Sequence, residues 1–252
     1  MVKILFAGPS LHGASPADER GIRRRAPAAQ GDLQSAVLEG ATVIGLVDGL
    51  YESIAAVWHK EILFALSQGV HVLGAASLGA LRAAECHGFG MVPIGEVARR
   101  YIEGTLDDDA AVAQLHAPAE LGFQPVTEAL VDCAPAIAAL EAAGLVDAGE
   151  AARLIASAER LFFKDRTWSA VLRGAGIGGA RAQEALRRLK DRRTSVKRQD
   201  ALRLVAAMAA MPDERADPRP AFAVSPTQAW QRTMDASRDA LATLPGGIVT
   251  FL

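Results

Sequence analysis

The sequence predicts an α/β fold: a small parallel sheet layered with helices, followed by an all-helical C-terminal region. Three observations carry that expectation. Short apolar runs, "VKILFAG", "ATVIGLVDG" and "VHVLGAA", punctuate the first half, and none alternates apolar with polar residues. Strands buried on both faces read this way, because helices cover a parallel sheet above and below. Helical patterns follow the second and third runs, giving βαβα. From about Ala119 the texture turns to long Ala-, Leu- and Arg-rich stretches. The expected division is an α/β core over residues 1–118 and a helical region over 119–252.

The first run ends at Gly8-Pro9-Ser10. The following segment, through Gly31, is rich in Gly, Pro and charge without periodicity, which predicts a long mobile loop. "GDLQSAVLEG" then offers a short helix with Asp32 near its start. The second run ends at Asp48-Gly49. After it, "AAVWHKEILFALSQG" can place Val57, Ile62, Leu63 and Leu66 on one helical face, with Gly69 as C-cap. The third run leads into "SLGALRAAECHGFG", an Ala-rich helix closed by glycines. In the second half, four periodic stretches carry Thr127, Asp147 and Ser195 as expected N-caps. A Pro-rich connector, "PDERADPRPAFAVSP", precedes a last helix around "TQAWQRTMDASRDALATL".

With 252 residues, half of them hydrophobic, the chain can bury a core without metal or disulfide staples. A formal charge of −2 argues against a general nucleic-acid binder. Cys86 and Cys133 have neither a disulfide framework nor zinc-ligand spacing and read as buried thiols. The run "ILFA" after Lys3 is too short for a signal-peptide core, and no window nears the ~18 apolar residues of a membrane span. The expectation is a soluble cytoplasmic protein with no membrane association.

Ligands of open α/β sheets bind beyond the carboxyl ends of the strands, which nominates Gly8-Pro9-Ser10, Asp48-Gly49 and Ser77. Ser77 in "GAASLGALRAAE" lies between a strand and a helix, the setting of a nucleophile elbow. There the amides of Leu78 and Gly79 would face bound negative charge. The competing reading is an N-cap with no chemistry. A nucleophilic serine needs a base. Among the histidines, His71 begins a strand at the wrong edge and His12 lies in the loop, whereas His59 and His116 are better placed. The run Asp107–Asp109 could hold a divalent cation or form a solvated loop. Arg82 and Glu85, three apart on a helix, read as a local ion pair or as a carboxylate anchor. Residues 181–198 hold eight Arg or Lys against two acidic residues, a solvated face or a dock for an acidic partner.

"GDL" at 31–33, the block from Val47 to Met91 and "YIEGTLDDDAAVAQLH" from Tyr101 to His116 together resemble the TfuA-like core family, over the first 118 residues. "AERLFFKDRTW" in the helical half is also family-like. Members are encoded beside YcaO enzymes, which use ATP to activate a peptide amide, and the pair is associated with backbone thioamide formation. The resemblance implies a sulfur-delivery partner of a YcaO-type ATP-dependent enzyme acting on a precursor peptide or protein. In that role it would hydrolyse the C-terminal thiocarboxylate of a ThiS-type ubiquitin-like sulfur carrier and release sulfide.

The chemistry of that reaction suggests roles for the candidates. Ser77 would attack or hold the oxyanion, and Leu78 and Gly79 would donate amides. His59 would be the first choice of base with Asp48 orienting it, and His116 the second. Arg82 would hold the thiocarboxylate, with Glu85, Asp108 and Asp109 as further binding candidates. No metal or cofactor is assigned. Two alternatives stand beside this. One is a non-catalytic docking partner of YcaO working through Arg187, Arg188, Arg192 and Arg193. The other is a small-anion or nucleotide-binding domain, against which the first strand lacks either Gly-rich phosphate fingerprint.

Overall fold

The computed structural model describes residues 2–14, 19–50, 52, 54–190, 194–217 and 222–242. Five parallel strands form one sheet: β1 (Val2–Phe6), β2 (Ile22–Arg25), β3 (Ala41–Leu46), β4 (His71–Ala75) and β5 (Val92–Ile94), in the order β2-β1-β3-β4-β5. Strands β1, β3 and β4 are the three expected apolar runs. Helices α1 (Asp32–Leu38), α2 (His59–Ser67) and α3 (Leu78–Cys86) connect strands β2 to β5, and α4 (Gly95–Ile102) follows β5.

The sheet is covered on both sides, which explains why its central strands show no apolar–polar alternation. Successive strand residues point to opposite faces. Ile4, Phe6, Ile44, Leu46 and Val72 meet Leu33, Ile62 and Ala83 of the first three helices. Leu5, Val43 and Leu73 meet Ala201, Leu204, Val205 and Met208 of α9 (Val196–Ala210). Each such side chain contributes about 1.5–3 kcal/mol when fully buried. Gly45 lets α9 approach, since a Cβ there would lie 2.3 Å from Met208 Sδ.

The segment expected to be a structureless loop contains β2. Its "IRRR" sequence has no apolar face to announce it, because Arg23 and Arg24 are exposed at the sheet edge and Arg25 pairs with Glu39. Charged edge strands resist unwanted pairing with other chains. Strand β5, "VPI", is the opposite edge, where proline is tolerated.

Helices α5 (Leu130–Ala142), α6 (Ala148–Arg160), α7 (Trp168–Gly174) and α8 (Gly179–Leu189) enclose a second core built on Ile137, Leu154, Val171 and Leu172. Asp147 and Ser195 cap α6 and α9 as expected, accepting from Glu150 N and Arg198 N. Thr127 does not cap α5. Its Oγ1 accepts instead from Leu115 N at 2.8 Å, tying the preceding loop. The last helix, α10 (Gln228–Ala242), returns to α1, where Gln34 Nε2 donates to Ser237 Oγ at 2.8 Å. Among the described residues no helix is long and apolar enough to cross a membrane.

Candidate functional site

Strand order reverses direction between β1 and β3, and in doubly wound sheets the crevice beyond that reversal is where ligands bind. Here the turns after β1, β3 and β4 meet in a cavity of about 340 Å³, lined among others by Pro9, Asp48, Ser77, Leu78, Asp109 and His116. The three segments nominated from sequence therefore share one pocket.

The Ser77 turn is strained. Ala76, fully buried, has φ 67°, and Ser77 N donates back to Ala75 O at 2.8 Å. A two-residue hydrogen bond across a positive φ is the rare form of γ-turn. Such strain costs about 1–3 kcal/mol and is tolerated where surrounding packing enforces it. That packing is visible: a Cβ on Gly79 would fall 1.8 Å from Leu46 O, and one on Gly74 2.2 Å from Gly79 O. Helix α3 thus lies against β3 and β4 with no room between them.

Ser77 occupies the N-cap position of α3, yet its side chain caps nothing. Its Oγ donates to Val112 O over a long 3.4 Å instead, leaving the hydroxyl half-exposed at the pocket. The Gly79 amide is engaged with Val47 O at 3.1 Å, which corrects the expectation that it would face bound charge. Among the described residues the Leu78 amide has no protein acceptor and is the α3 N-terminal donor left for that purpose.

Asp48 does not orient His59. Its buried carboxylate accepts from Gly8 N at 2.8 Å, Ser10 N at 3.0 Å and Ser10 Oγ at 2.7 Å. The amide cradle that could have bound a phosphate after β1 is therefore filled by the protein's own carboxylate. His59 lies outside the pocket lining on α2, where its Nε2 meets Glu85 Oε2 at 2.8 Å. Arg82 reaches the same Glu85 oxygen at 2.7 Å and Val57 O at 3.0 Å. The His59–Glu85–Arg82 group is a surface cluster apart from Ser77, because α3 turns those side chains towards α2.

His116 does line the pocket. Its Nδ1 lies 2.8 Å from Ala117 O, and a carbonyl only accepts, so Nδ1 carries the proton and Nε2 keeps its lone pair in the neutral ring. Edge-on contact with Phe123 at 5.7 Å braces the imidazole. Of the acidic run, Asp108 caps a 3₁₀ turn through Ala110 N at 2.8 Å, whereas Asp109 faces the pocket. Burial, with Asp109 and Asp108 adding to it, pushes the pKa of the neighbouring Tyr101 hydroxyl up. Among the described residues no group of His, Cys, Asp or Glu is clustered to hold a metal ion.

Sequence reasoning missed the contribution of the helical half. Lys197 of α9 is fully buried, and its Nζ donates to Val112 O at 2.7 Å and Gln114 Oε1 at 2.9 Å behind the pocket wall. It shares the Val112 carbonyl with Ser77. Since lysine only donates, Gln114 must turn its oxygen to Lys197, and its buried Nε2 has no partner among the described residues.

The turn after α6 closes another side with Phe163 and Lys164. Arg166 builds that turn. Its buried guanidinium donates to Ala158 O at 2.9 Å and Leu161 O at 2.8 Å at the end of α6, and to Glu128 O at 3.3 Å. Burial pushes its pKa down. The family-like "AERLFFKDRTW" was the available signal for these residues, but nothing local says which pocket they reach.

The family model described as TfuA-like protein matches residues 48–167. That stretch is a TfuA-like domain. No curated protein matches the chain. The TfuA-like domain starts at Asp48 and runs past the 3₁₀ turns and α6 to Thr167, so every lining residue of the Ser77 pocket except Pro9 falls inside it. The "GDL" segment lies outside the match and has a structural role. Gly31 takes φ 96°, and the buried Glu61 carboxylate of α2 accepts from Gly31 N at 2.9 Å and Leu33 N at 3.3 Å. A larger cavity of about 460 Å³ between α5, α7 and α8 has its buried acid already engaged, with Ser195 Oγ donating to Asp132 Oδ2 at 2.7 Å.

Proposed function

We propose that this protein supplies sulfur to a YcaO-type ATP-dependent enzyme by hydrolysing the C-terminal thiocarboxylate of a ThiS-type carrier, for thioamidation of a precursor peptide or protein. The observation that carries the reading is the joint presence of Ser77 and His116 in one pocket of the TfuA-like domain, with Nε2 as the imidazole nitrogen able to accept a proton. Around them, Leu78, Leu81 and Leu115 give the walls that an extended small-residue tail needs.

In this reaction the acyl carbon loses its bond to sulfur and gains one to oxygen. Thiocarboxylate and water become carboxylate and hydrogen sulfide, so no oxidant or reductant is required. His116 Nε2 takes the proton from the attacking hydroxyl, either that of Ser77 or that of a water with Ser77 then holding the oxyanion, and returns it to the departing sulfur. The Leu78 amide faces the developing oxyanion, and a donor of this kind is worth about 3 kcal/mol in the transition state. Lys197 ties Val112 and Gln114 of the pocket wall together from behind.

The test is mass spectrometry of a thiocarboxylated carrier incubated with the protein, with and without YcaO. The expected product is the carrier with oxygen in place of sulfur and free sulfide in solution; an intact carrier in both mixtures defeats the reading.

A docking role without catalysis is favoured by one observation, the exposed Arg188 and Lys190 at the end of α8. Arg187 there pairs with Glu184, and Arg192 and Arg193 lie outside the described residues. If docking is the whole role, Ser77→Ala supports thioamidation as well as wild type does.

A further inference from the structure

We propose that Lys164 reads the negative charge of an acyl terminus in the Ser77 pocket, and that Glu52 holds Lys164 until such a terminus displaces it. The inference rests on the reading above and names the charge that the pocket selects.

The pocket's own lining makes the need plain. Asp48, Glu52 and Asp109 are acidic, and among the lining residues only Lys164 carries a full positive charge. Arg82, the expected anchor, is held on Val57 and Glu85 outside the lining. Lys197 is fully buried behind the wall with its ammonium on Val112 and Gln114. An anion entering here without Lys164 would meet carboxylates.

Lys164 is held where it can act. Its Nζ lies 5.7 Å from the Phe163 ring centre and 5.8 Å from that of Phe162, both within the range of cation–π attraction. Phe163 is buried and tilted against Phe162 at 4.5 Å, and Arg166 fixes the turn that carries all three. The aromatic pair keeps the charge at the mouth even when its partner changes.

Glu52 is the present partner. It stands in the position that a carboxylate or thiocarboxylate would take, a protein side chain supplying the same oxygen chemistry. Two features make it displaceable. Both side chains are about two-fifths exposed, and exposed ion pairs contribute little. Glu52 also has φ 67°, a conformation that a non-glycine residue adopts with strain. An incoming anion would therefore replace a weak internal contact, and charge rather than shape alone would decide which tail stays.

The experiment measures binding of two synthetic peptides that end in Gly-Gly, one as the free carboxylate and one as the C-terminal amide, to the full chain. Wild type should favour the carboxylate by about fivefold at low salt, with the preference shrinking as ionic strength rises. Lys164→Met, which keeps an apolar stem over the rings, should bind both forms alike. Glu52→Gln should widen the preference, because the competing carboxylate is gone. Thermal melts of both variants at wild-type values confirm the fold. An unchanged preference in Lys164→Met, a narrower one in Glu52→Gln, or no preference in wild type overturns the inference. The carrier assay separates the two proposals. If the peptides behave as expected while the thiocarboxylate stays intact, hydrolysis fails and charge reading stands. If Lys164→Met hydrolyses the carrier with wild-type KM, charge reading alone fails.

Discussion

Ser10 and Asp48 are bonded side chain to side chain beneath the edge of the sheet, Ser10 Oγ donating to Asp48 Oδ1 at 2.7 Å with both residues buried. Because Asp48 also accepts the amides of Gly8 and Ser10, one carboxylate ties the turn after β1 to the turn after β3. The floor of the pocket is built by that link. Asp48 thus acts on the site by positioning backbone, not by touching a histidine.

Removing the link should be costly in stability. Asp48→Ala strands three buried donors, and each contributes about 1 kcal/mol, so a loss of about 2–4 kcal/mol is expected. Ser10→Ala removes one bond and should cost about 1 kcal/mol. Urea denaturation of the two variants checks the order as well as the size.

Gly79→Ala sets two rules against each other. Helix propensity alone would favour alanine by about 1 kcal/mol. The new Cβ, however, would lie 1.8 Å from Leu46 O, and neither backbone can yield without separating α3 from β3. A destabilisation of about 3 kcal/mol or more is expected, with the Ser77 turn disturbed as well. Thermal melting would show which rule prevails.

Burial pushes the Cys86 thiol up to about 11 and the Cys133 thiol up to about 12. Since the thiolate is the reactive form, neither should be alkylated by iodoacetamide at pH 8 in the folded protein. Both should react once the chain is denatured. Fast labelling of the native protein would contradict the buried placement.

Glu150 gives the acid response a definite sign. The Arg181 guanidinium, bonded to it at 2.7 and 2.8 Å, holds its carboxyl well below the usual carboxylate range, at about 2. A folded-state pKa below the unfolded one adds stability that is complete above the ordinary value and is lost as pH falls towards the depressed one. Wild type should therefore melt above Glu150→Gln at pH 7, and the gap should close between about pH 4.5 and pH 2. Glu61 and Asp200 work in the opposite sense, because burial pushes their pKa values up and their contribution fades as pH rises.

The central strands were legible because their burial on both faces leaves unbroken apolar runs. Strand β2 was not, since an edge strand of arginines has no apolar signature, and β5 is three residues long and contains proline. Ser77 could be found from the small residues around it, which permit the close approach of α3. Sequence put His59 ahead of His116 as the base, and the pocket lining reverses that order. His59 follows β3 on the favourable edge, and only its side-chain direction on α2, towards Glu85, removes it from the pocket. His116 comes after α4 and a 3₁₀ turn, with no strand to announce it. Lys164 and Lys197 reach the site through long-range packing of α6 and α9, and no local pattern encodes that. The helical half covers the sheet and also completes the pocket.

The most direct test of the Ser77–His116 site is sulfide release from a thiocarboxylated ThiS-type carrier by wild type, Ser77→Ala, His116→Gln and His59→Gln, compared side by side. Wild type and His59→Gln should release sulfide, with a fall of about a hundredfold or more in the other two. Release by Ser77→Ala and His116→Gln at the wild-type rate, or its loss in His59→Gln alone, would contradict the Ser77–His116 site.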